Sequence, residues 1–183
     1  MRLNKKVCSS LFLVGPMGVG KTTVGKQLAW ELSLKFIDSD EEIEALAGAD
    51  ISWIFDVEGE AGFRDRECKV IEELTQLSDV LISTGGGCVL SKENRQHLKS
   101  CGVVVFLDTS LEIQQTRTKK DRKRPLLRNV DHAKVLKEMK RIRDPLYKDV
   151  SHIKVFVGES GSKRVVSSII DKLNDQGFIE KSE

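Results

Sequence analysis

The chain has 183 residues, 39% hydrophobic and 32% charged, and its 30 Lys and Arg against 28 Asp and Glu leave a net charge of +2. That length suits one domain, or one domain with a mobile insertion. The composition excludes a disordered chain, no apolar run reaches membrane-span length, and so small a net charge argues against a dedicated nucleic-acid binder.

The charged start carries no apolar signal core before the first strand. Residues 7–14 read as that strand, and Leu11-Phe12-Leu13-Val14 leads into Gly15-Pro16-Met17-Gly18-Val19-Gly20-Lys21-Thr22, the phosphate-loop pattern G-x-x-x-x-G-K-[ST]. A chance match in a chain of this length is on the order of one in a hundred. Residues 22–33 follow as a helix, with Val24, Leu28, Ala29 and Leu32 on one face. Glycines let backbone N–H groups approach a phosphate, and the helix adds the positive end of its dipole. Lys21 supplies a mobile charge for the outer phosphates, and the Thr22 hydroxyl suits Mg²⁺. The motif predicts nucleoside triphosphate binding without saying what is done with it.

Residues 35–37 form a second strand ending at Asp38-Ser39-Asp40, and 41–46 a helix that Asp38 or Ser39 caps and Gly48 ends. A short buried helix at 51–58, with apolar residues at 51, 54, 55 and 57, precedes a longer one at 59–77 with Phe63, Val70, Ile71 and Leu74 inward. A third strand, 80–83, runs into Thr84-Gly85-Gly86-Gly87. Then come a helix at 91–100, a buried strand at 102–107, a helix opened by Ser110, a basic loop at 119–129, a helix at 130–148 bent at Pro145, a fifth strand at 153–157 and a last helix at 162–173, with a frayed tail from Asn174. Strands alternating with helices predict a parallel sheet covered on both faces, whose ligands sit at the carboxyl ends of the strands.

The residues after each strand therefore carry the chemistry. Asp38 and Asp40 would face one side of an extended segment, one holding Mg²⁺ through water and the other accepting a proton, or they merely cap a helix. Arg64 and Glu67, three apart on a helix, make either a surface ion pair or a rigid grip for a carboxylate. Gly85-Gly86-Gly87 are costly to order and point to a close backbone approach. Asp108-Thr109, at the fourth strand end, looks structural. The run Asp121-Arg122-Lys123-Arg124 is a solvated loop, a nucleic-acid contact or a lid that brings an arginine to a phosphoryl group. Cys8, Cys68, Cys88 and Cys101 show no C-x-x-C spacing and read as the reduced thiols of a cytoplasmic protein.

Together these pieces resemble the shikimate kinase family, over about residues 11–168. The resemblance rests on residues 15–23, Phe36 to Asp40, Gly62-Phe63-Arg64-Asp65-Arg66-Glu67, residues 84–87, Arg117-Thr118, Arg124-Pro125-Leu126-Leu127 and Arg143-x-Pro145-Leu146-Tyr147. It implies a phosphate-loop kinase fold with a five-stranded parallel sheet of order 2-3-1-4-5, one domain over 1–183, substrate-binding helices at about 38–66 and a lid at about 119–129. It implies ATP and Mg²⁺, and transfer of phosphate to the 3-hydroxyl of shikimate on the route to aromatic amino acids. By position, Asp40, Lys21 and Arg124 would be catalytic, and Gly18, Val19, Gly20, Lys21, Thr22, Thr23, Arg117 and Arg124 would bind the nucleotide. Asp40, Arg64, Gly85, Gly86, Gly87 and Arg143 would bind shikimate, with Glu67 orienting Arg64 and with Trp53 and Phe63 walling the pocket. Thr22 and Asp38 would serve the metal. The expected protein is a monomer with small-molecule partners. A gluconate kinase-like enzyme shares the loop and lid but does not need Arg64, Arg143 and the glycines together, and a nucleotide-dependent regulatory protein would use the basic loop on nucleic acid.

Overall fold

A computed structural model describes residues 1–4, 8–119, 126, 131–159 and 161–180. Its centre is a five-stranded sheet formed by β2 (Ser10–Val14), β3 (Lys35–Asp38), β4 (Val80–Ser83), β5 (Val103–Asp108) and β6 (Ile153–Phe156). The spatial order is β3-β4-β2-β5-β6 with every pairing parallel. Counted along these five strands alone, that is the expected 2-3-1-4-5. β2 is central, and its register sets Leu11 beside Leu81 and Val103.

Alternation along the strands builds two cores. Leu11 and Leu13 face one side, where α1 (Lys21–Leu32) and α7 (Ser162–Asp175) bring Val24, Leu28, Val165 and Ile169. Phe12 and Val14 face the other, with Ile54, Phe63 and Ile71 of α3 (Ile51–Thr75), Leu98 of α4 (Lys92–Cys101) and Tyr147 of α6 (His132–Val150). Burial on both faces explains why these strands read as continuous apolar runs. Side chains of Asp38, Asp50, Ser91, Ser110 and Asp131 cap α2 (Ser39–Ala47), α3, α4, α5 (Leu111–Thr118) and α6.

Several expectations need correction. The helices foreseen at 51–58 and 59–77 join end to end in α3, broken at Gly59, where φ is 71° and ψ is −178°. Val57, expected inward, is 61% exposed. Residues 174–180 of the tail are not frayed. α7 continues to Asp175, the chain turns at Gly177 with φ 72°, and β7 (Ile179–Glu180) pairs antiparallel with β1 (Arg2–Leu3). Leu3 and Ile179 are buried in the first core.

Asp108, at the end of β5, is structural. Its carboxylate takes Lys140 at 2.9 Å and Lys154 at 2.8 Å, tying α6 and β6 to β5. Burial would raise its pKa, but the two ammonium groups outweigh this and hold the carboxyl below its usual range.

Candidate active site

The strands deliver their following residues to one edge of the sheet. After β2 the loop turns through Gly18 (φ 75°) and Gly20 (φ 100°) into α1, whose first turn has no side-chain cap and leaves its N–H groups available to an anion. Lys21 folds back, donating from Nζ to the carbonyls of Gly15 at 2.8 Å and Pro16 at 3.1 Å. The Thr22 hydroxyl donates to Asp38 Oδ2 at 2.9 Å. Two hard oxygen donors side by side, next to a phosphate cradle, fit Mg²⁺. Met17, Gly18, Gly20, Lys21, Thr22, Thr23, Asp38, Asp40 and Arg117 line a 280 Å³ cavity here. Arg117 clasps its far end, donating to the carbonyls of Val19 at 3.1 Å and Gly158 at 3.0 Å.

Asp38 and Asp40 do not lie in one extended segment. Asp38 ends β3 and accepts the Asp40 N–H at Oδ1, 3.1 Å, while Asp40 sits in the first turn of α2. Asp38 therefore caps a helix with one oxygen and meets Thr22 with the other, so the capping reading and the metal reading are compatible.

A second cavity of about 490 Å³ is lined by Asp40, Phe63, Arg64, Glu67, Gly85, Gly86, Gly87 and Arg143, and further by Met17, Glu44, Asp50, Ile51, Ser52, Phe55 and Leu126. Asp40, Met17 and Gly86 line both cavities. Arg64 donates to Glu67 at 2.7 Å and Glu60 at 3.0 Å, and its guanidinium lies 5.1 Å from the centre of the Phe63 ring. Burial works against the Arg64 charge, but Glu67 and Glu60 more than restore it, and its pKa is raised. Glu67 is 1% exposed, and burial raises its carboxyl although Arg64 and Arg143 oppose the shift. Arg143 is 7% exposed and donates to the Gly86 carbonyl at 3.3 Å. The Tyr147 hydroxyl donates to the same carbonyl.

The glycine run has a steric cause. A Cβ on Gly85 would stand 2.7 Å from Asp40 Oδ1 and from Glu67 Oε1, and one on Gly87 would stand 2.3 Å from the Arg64 guanidinium. A Cβ on Gly86 would come within 3.3 Å of Met17 N. Bare backbone lets Asp40, Glu67, Arg64 and the phosphate loop meet at one place.

Arg64 and Arg143 stand at the glycine end of the cavity. At the rim, Glu44 and Asp50 accept the N–H groups of Ile51 at 2.9 Å and Trp53 at 2.7 Å. Such a site can take a small molecule bearing a carboxylate and a hydroxyl, the carboxylate on the arginines and the hydroxyl on Asp40. Trp53, expected in the wall, is 52% exposed and does not line the cavity; Phe55, its ring centre 4.8 Å from that of Phe63 and tilted 36° to it, does. Glu60 was missed, although its i,i+4 spacing from Arg64 was a signal. Arg124 lies outside the described residues.

The shikimate kinase family model matches residues 17–174. A shikimate kinase of Pasteurella multocida (strain Pm70) is 53% identical over 167 residues, 91% of this chain and 95% of the relative. A solved shikimate kinase from Acinetobacter baumannii in complex with shikimate superposes with a TM-score of 0.91 at 42% identity, covering 94% of this chain and 96% of that one. A shikimate kinase from Aquifex aeolicus superposes at 0.77 with 37% identity, covering 92% and 99%. A family model spanning most of the chain and relatives matched over nearly their full length agree, and the chain belongs to the shikimate kinase family.

Proposed function

We propose that the protein transfers the γ-phosphoryl group of ATP to the 3-hydroxyl of shikimate, giving 3-phosphoshikimate and ADP. The observation that carries this is Asp40 in the wall common to the two cavities. A hydroxyl held there faces the nucleotide side, and its proton has a carboxylate to go to. Arg64 and Arg143 grip the substrate carboxylate, Glu67 keeps Arg64 oriented, and Gly85, Gly86 and Gly87 form the floor. Gly18, Val19, Gly20, Thr22 and Thr23 present N–H groups to the phosphates, Lys21 exchanges its carbonyl partners for phosphate oxygens, and Arg117 borders the adenine end. The family resemblance implies a lid at about 119–129, of which only Lys119 and Leu126 are among the described residues, and assigns its Arg124 to the transferred group. Mg²⁺, when bound, would be held by Thr22 and, through water, Asp38, and supplies neutralisation of phosphate charge.

The test is ADP release with Mg²⁺·ATP, with and without shikimate, with gluconate as control. Release that depends on shikimate and ignores gluconate is expected; release indifferent to shikimate rejects the acceptor assignment. Asp40→Asn is expected to fold and to lose about 10²- to 10⁴-fold in turnover, read by steady-state kinetics beside circular dichroism.

We also read the protein as a cytoplasmic monomer that binds small molecules and no nucleic acid, the last of these supported by its net charge of +2. Among the described residues no helix is long and apolar enough to cross a membrane. Light scattering after size exclusion tests the monomer, a dimer mass rejecting it.

A further inference from the structure

The outer and inner walls of the acceptor cavity belong to two halves of one helix. Ile51, Ser52 and Phe55 line it from before Gly59, and Phe63, Arg64 and Glu67 from after it. Gly59 breaks the helix at φ 71° and ψ −178°, backbone that side chains other than hydrogen rarely allow. Across this break Glu58 turns back onto Arg66, which donates to its two carboxylate oxygens from Nε and Nη2, each at 2.8 Å. In an unbroken helix two residues eight apart are separated by roughly 12 Å along the axis. The returning side chain passes over Gly62, where a Cβ would stand 2.5 Å from Glu58 Cβ.

None of these features favours the helix itself. Gly59 and Gly62 weaken it, and a pair whose side chains are 40% and 28% exposed adds little to stability. Their joint effect is geometric. A two-pronged guanidinium–carboxylate contact fixes orientation as well as distance, and here it fixes one half of α3 against the other.

We propose that Glu58 and Arg66 are positioning residues, a latch that sets the width of the acceptor cavity by holding the angle between the halves of α3. Neither lines the cavity, and the inference rests on that cavity being the shikimate site. Arg66→Lys and Glu58→Gln, which disrupt the fork, are expected to raise the shikimate KM about threefold while kcat and the ATP KM stay unchanged. The exchange Glu58→Arg with Arg66→Glu is expected to bring the KM back toward the parent value. An unchanged shikimate KM in both single variants overturns the latch, whether or not Tm falls. A KM in the exchange no better than in the singles overturns pairing as the cause. Arg64→Ala separates the two levels: if it too leaves the shikimate KM unchanged, the reading of the cavity fails, and if it alone raises that KM, only the latch fails.

Discussion

Tyr147 shows how much of this site depends on a residue that need not touch substrate. It is 1% exposed, its ring stacks on Phe106 at 5.0 Å, and its hydroxyl donates to the Gly86 carbonyl that Arg143 also approaches. Burial raises the phenol above its ordinary pKa, so the hydroxyl remains a donor. Tyr147→Phe should leave that carbonyl to Arg143 alone. Urea unfolding should show a loss of about 1–2 kcal/mol, and kinetics a higher shikimate KM. The motif Arg143-x-Pro145-Leu146-Tyr147 was visible in the sequence, but this bond spans 61 residues, and no periodicity reports a contact of that range. Arg64 and Glu67 were legible as a pair because a helix brings i and i+3 together. Trp53 was misplaced because the family resemblance put it in the wall, while its position on α3 turns it to solvent.

At the level of elements, the alternation of apolar strands with helices was enough to foresee a parallel sheet, and the residues after the strands led to the phosphate loop, Asp38, Asp40 and the glycines, whereas Arg64, Glu67, Arg117 and Arg143 lie on helices. Very short elements escaped, since β1 and β7 are each two residues long and carry no alternation to read. The junction of β5 and β6 hides another contact. His152 Nδ1 accepts the Val104 N–H at 3.0 Å, which only an unprotonated nitrogen can do. Burial, with Lys99 adding to it, lowers the His152 pKa. A lowered folded-state value gives stability that is present above the unfolded value of about 6.5 and is lost as pH falls through the folded value. Tm should therefore drop on acidification below about pH 6.5. His152→Asn, which keeps an acceptor but has no proton to gain, should drop less over the same interval, as differential scanning fluorimetry can measure.

On the scale of the whole molecule, the β1–β7 ribbon fastens the two ends of the chain to the same core. Leu3 and Ile179 pair in register and are 4% and 5% exposed. Ile179→Ala should cost about 2–4 kcal/mol in chemical denaturation while both KM values and kcat stay put, because the ribbon lines neither cavity. The chain should still unfold in a single transition, as one domain would; a separate early step for the ribbon would show that the ends fold apart from the core.

The glycine floor also bears on how the enzyme could evade an inhibitor. Target sites commonly escape a drug by enlarging a side chain beneath it. The glycine positions that line the cavity carry none, and a methyl group at Gly85 or Gly87 would collide with Asp40, Glu67 or Arg64. Under the proposed function, a compound resting on that backbone presses on atoms that a point mutation cannot change without displacing Asp40, Glu67 or Arg64, so resistance is expected instead among side chains of the remaining lining, such as Ile51, Ser52 and Phe55.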